Sequence, residues 1–64
     1  MTLKQRGKAI AYAMENFPDY LYWVERKGEF MKINRPLSNE ENEKYREVLY
    51  HIERYIKMAH MITG

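Results

Sequence analysis

The apolar positions change texture three times along the chain, and each texture predicts an element. Over residues 2–17, Leu3, Ile10, Met14 and Phe17 fall on one side at helical spacing, with Ala13 beside them, the pattern of an amphipathic helix. Thr2, with Gln5 three residues later, makes a capping box at its start. Pro18 stops the helix by disfavouring α conformation in the residue before it. Gly7 borders the stripe, where a missing side chain would let another backbone approach, at a cost of about 1 kcal/mol relative to Ala.

The middle of the chain reads differently. Phe17-Pro18-Asp19-Tyr20 has the composition of a type I turn. Tyr20 to Val24 is then an unbroken run of aromatic, aliphatic and β-branched residues, as strands are. With Lys27-Gly28 as a two-residue loop, Arg26 faces Glu29, Val24 faces Met31 and Tyr22 faces Ile33 in a β-hairpin over Tyr20–Asn34. Its other face carries Leu21, Trp23, Glu25, Phe30 and Lys32. The rival is a helix from Asp19 to Lys27 ending on Gly28 as its C′ residue. Five consecutive bulky residues do not make a helical stripe, which favours the hairpin. A lone hairpin is marginal and must pack on helices.

After the connector Asn34–Leu37 comes the sharpest signal. Ser38 and Glu41 form a second capping box, with Leu37 placed to staple onto the first turn. From Asn39 to about Ile62 one long helix is expected. Acids lead it and Arg54, Lys57 and His60 close it, as the macrodipole favours. Glu40–Lys44 and Glu53–Lys57 are spaced to pair at i,i+4. Tyr45, Val48, Leu49, Ile52, Tyr55, Ile56, Ala59 and Ile62 share a broad face suited to covering a core. The predicted fold is an α+β mini-domain, α-β-β-α, with an all-α three-helix arrangement as the alternative.

Composition narrows the function more than the fold. Sixty-four residues, 45% hydrophobic and 31% charged, predict one small folded domain over 1–64. Such a chain buries only about 60% of its unfolded surface, and its stability alone is about 3–10 kcal/mol. With no cysteine, no disulfide or thiolate metal site can add to that. No apolar stretch approaches the roughly 20 residues of a membrane span, so no membrane role and a cytoplasmic setting are expected. Net charge is +2. Residues 1–36 hold seven bases against four acids, while residues 37–64 hold four against five.

Candidate chemistry is sparse. Ser38, the sole serine, and Asp19, the sole aspartate, are explained as a cap and a turn residue. His51 and His60 point to opposite sides of one helix and cannot share a metal; both are expected to be solvated. Glu47 and His51 offer one edge of a site, not a site. No Gly-rich phosphate loop exists. No enzyme, cofactor, metal or small-molecule substrate is expected.

Function then falls to surfaces. Tyr50, Arg54, Met58 and Met61 lie on the back of the long helix and are of types enriched in interfaces. Trp23 and Phe30 on the mixed hairpin face extend that candidate protein-binding set. Six tyrosines and one tryptophan exceed what so small a core can fully bury, and rings bind with few rotors to freeze. The leading expectation is a non-enzymatic protein-binding module, an inhibitor or adaptor that occupies a surface of a larger protein or pairs with a second copy of itself as a homodimer. Its size is that of phage and mobile-element accessory factors. The alternative is a nucleic-acid-binding regulator using Lys4, Arg6, Lys8 and Tyr12 on the first helix, with charge for phosphates and a ring for stacking.

Overall fold

A computed structural model describes all 64 residues. Three helices account for it: α1 over Leu3–Asn16, α2 over Pro18–Met31 and α3 over Asn39–Thr63. There is no strand. The α-β-β-α expectation is therefore wrong, and the all-α alternative describes the chain.

The hairpin fails for a physical reason. A two-stranded ribbon leaves outward N–H and C=O groups on both edges, whereas a helix satisfies its backbone internally. Pro18 is not in a turn but at the first position of α2, where its fixed φ is pre-organised and its missing N–H costs nothing. Phe17, extended at φ −118° and ψ 96°, serves as C-cap of α1 and N-cap of α2. Asp19 lies in the first turn, favoured by the dipole. Tyr20, Trp23 and Phe30 turn inward together, and Leu21, Tyr22 and Val24 remain exposed. Gly28 is neither a hairpin loop nor a C′ residue, because α2 continues through it to Met31 and no glycine has positive φ.

Both capping boxes form as expected, at Thr2/Gln5 and Ser38/Glu41. The connector is tied to α3 by Arg35, whose guanidinium donates to both Glu41 carboxylate oxygens at 2.8 and 2.9 Å. Those bonds, and then those from Ser38, hold the Glu41 carboxyl down at about 2. The expected Glu40–Lys44 and Glu53–Lys57 ion pairs are not made. Glu53 is instead gripped by Arg6 of α1 at 2.6 and 3.1 Å, and those bonds lower its pKa.

The core is thin. Seven residues are buried: Ala9 and Ala13 of α1, Tyr20 of α2, and Val48, Ile52, Ile56 and Ala59 of α3. Ile10, Tyr12, Phe17, Trp23, Phe30 and Tyr55 pack around them. The α3 face is largely as expected, although Ile62 is exposed. The α1 face is rotated from the expected one. Leu3 is 89% exposed and Met14 is exposed as well, while Ala9 and Ala13 are fully buried. Gly7 makes no close backbone approach: a Cβ added there or at Gly28 would meet nothing within 4 Å. Gly7→Ala and Gly28→Ala are each expected to raise stability by about 1 kcal/mol, read as a higher midpoint in urea unfolding.

Candidate functional site

Three side-chain contacts mark the direction in which α2 crosses α3. Tyr55 Oη donates a long hydrogen bond of 3.4 Å to Asp19, Trp23 stacks on His51, and Phe30 packs on Tyr45. Partner numbers on α3 fall as those on α2 rise, so the two helices run antiparallel and matching rings meet across one seam.

The middle of that seam is continuous aromatic surface. Trp23 and His51 lie 4.1 Å apart with planes 9° from parallel. Tyr22 meets Trp23 edge-on at 5.0 Å, and Tyr50 meets His51 edge-on at 5.5 Å. Four rings thus run in the order Tyr22, Trp23, His51, Tyr50. The inner pair is half-buried, while Tyr22 is 53% and Tyr50 61% exposed. Beside them His51, Arg54, Tyr55 and Met58 line an open cleft of about 290 Å³. Arg54 has no carboxylate within ion-pair distance. Glu47 lies 3.9 Å from His51 Nε2.

Of the residues singled out for protein binding, Trp23, Tyr50, Arg54 and Met58 come together at this seam. Met61 lies one turn beyond Met58 and is 85% exposed. Phe30 is separate: it sits farther along α2 and lines a smaller cleft of about 140 Å³ with Arg26, Glu29 and Ile33. The basic set on α1 is divided. Lys4 and Lys8 are exposed, but Arg6 is engaged by Glu53 and Tyr12 packs edge-on to Phe17 at the core.

His51 was expected to be solvated and is instead the hinge of the ring series. Its signal is readable only once α2 is helical: Asp19 and Trp23 are then spaced i,i+4 to match Tyr55 and His51 on an antiparallel neighbour. His60 is half-buried as well, and its Nδ1 is enclosed without a hydrogen-bond partner.

The seam presents stacking faces, a thioether and a guanidinium with no carboxylate in ion-pair distance. No three His, Asp or Glu side chains gather where they could hold a metal, and no helix is long and apolar enough to cross a membrane. No family model, curated protein or solved structure matches the chain.

Proposed function

We propose that this chain is a non-enzymatic protein-binding module of the cytoplasm, an inhibitor or adaptor that covers a surface on a larger protein or on a second copy of itself. The observation that carries the reading is the continuous ring series from Tyr22 to Tyr50, exposed at both ends and bordered by Arg54 and Met58. Tyr, Trp, Met and Arg are the side chains over-represented in interfaces and their hot spots. A core of seven residues, three of them alanine, adds to this, because a thin core gains stability from any partner that binds only the folded form.

The test is capture from a nuclease-treated cell extract, with Tyr50→Lys/Met58→Lys as the comparison. Both side chains are exposed, so the double variant keeps its helicity by circular dichroism and loses the captured protein or its self-association at least tenfold, about 1.4 kcal/mol. Equal capture and equal self-association by the two proteins would overturn the reading.

A further inference from the structure

The outward face of α3 carries a pattern that the core does not explain. Glu43, Glu47, Tyr50, Arg54, Lys57 and Met61 recur at alternating spacings of four and three residues, the repeat that keeps one seam of a helix facing a second helix. All six are exposed, on the side of α3 opposite its buried face. The seam is also polarised, with acids before Tyr50 and bases after it. Within the chain its charges are nearly unpaired: only Glu47 has a cationic group in reach, His51 Nε2 at 3.9 Å.

We infer that this face pairs with the same face of a second copy, α3 antiparallel to α3, with Tyr50 beside the two-fold axis. The pattern is self-complementary about that residue. Glu47 lies three positions before Tyr50 and Arg54 four after it; Glu43 and Lys57 lie seven to either side. In the antiparallel pair each Glu47 faces the other copy's Arg54, each Glu43 faces the other copy's Lys57, and the two Tyr50 rings meet at the axis. A two-fold interface requires this self-match of one patch. The parallel pairing sets acid on acid and base on base, which repels. Ion pairs in such a seam fix orientation and register more than affinity. The two tyrosine rings supply the apolar contact at the axis, and Met61 supplies it at either end of the seam.

This inference rests on the proposed protein-binding reading and names the occupant of its α3 half. The experiment is the mass in solution, by sedimentation equilibrium, of the wild type, Glu47→Arg, Arg54→Glu and an equimolar mixture of the two variants. The wild type is expected at twice the 7.8 kDa chain mass. Each variant alone sets like charges opposite one another twice and dimerises on the order of tenfold more weakly or worse. The mixture restores the dimer, because the variant charges are complementary to one another. Circular dichroism confirms that each variant is helical, since both positions are exposed. A wild type that stays at 7.8 kDa up to millimolar concentration overturns the inference; so does a dimer indifferent to Glu47→Arg, or a mixture no more associated than its components. A monomeric wild type whose captured partner is lost in Tyr50→Lys/Met58→Lys defeats the dimer alone and leaves the protein-binding reading standing.

Discussion

Ile56→Ala is expected to lose about 2–5 kcal/mol, the range for deleting a buried branched side chain and leaving a cavity. Ile56 is the only large side chain with less than 2% exposure. Three of the other six buried residues, Ala9, Ala13 and Ala59, cannot shift a side chain into the space, because they have only a methyl group to offer. The loss is set against a total of about 3–10 kcal/mol for a chain of this length, so a large share of the folded population is at stake. Each kcal/mol moves the thermal midpoint by about 4–8 °C in a domain this small, and helical circular dichroism followed through thermal unfolding reads the shift. Ile56→Val, which removes one methylene, is expected to cost about 0.5–1.5 kcal/mol. An Ile56→Ala midpoint within a degree or two of wild type would mean that the three helices do not close on this residue.

What could be read from the residues alone follows from where the deciding interactions lie. The starts of α1 and α3 were legible because capping is local: Thr2 with Gln5, and Ser38 with Glu41, each close a motif within four residues. The outward placement of Tyr50, Arg54, Met58 and Met61 was legible too, because a helix with a broad apolar face has only one back. The secondary structure of Tyr20–Val24 was not. Its residue types suit a strand, and their inward and outward division becomes helical only when α3 is present to receive Tyr20, Trp23 and Phe30. The rotation of α1 was hidden for a related reason. Leu3 and Met14 outweigh Ala9 and Ala13 on any hydrophobic scale, yet close helix packing selects small side chains over large ones. The stacking of His51 was not legible because its partner, Trp23, is distant in sequence and sits on an element expected to be a strand.

Trp23→Ala is expected to cost about 3 kcal/mol, the lower end of the range for truncating a large aromatic, since the ring is half-buried rather than enclosed. It removes a ring contact between α2 and α3 that lies between Asp19–Tyr55 and Phe30–Tyr45. It also strips His51 of its stacking partner and Tyr22 of its edge contact. Trp23→Phe keeps a ring in the seam and is expected to lose markedly less. Denaturant unfolding followed by circular dichroism measures both, since Trp23 is the only tryptophan and neither variant retains its fluorescence. The comparison with Tyr50→Lys/Met58→Lys separates two roles within one surface. Trp23 joins the helices in the middle of the ring series, so its loss weakens binding by loosening the fold that aligns Tyr22 with Tyr50. Tyr50 and Met58 face outward, so their loss weakens binding with the unfolding midpoint nearly unchanged. If Trp23→Ala instead left the midpoint in place while abolishing association, the ring would be a direct contact, and the seam would owe its order to the flanking pairs alone.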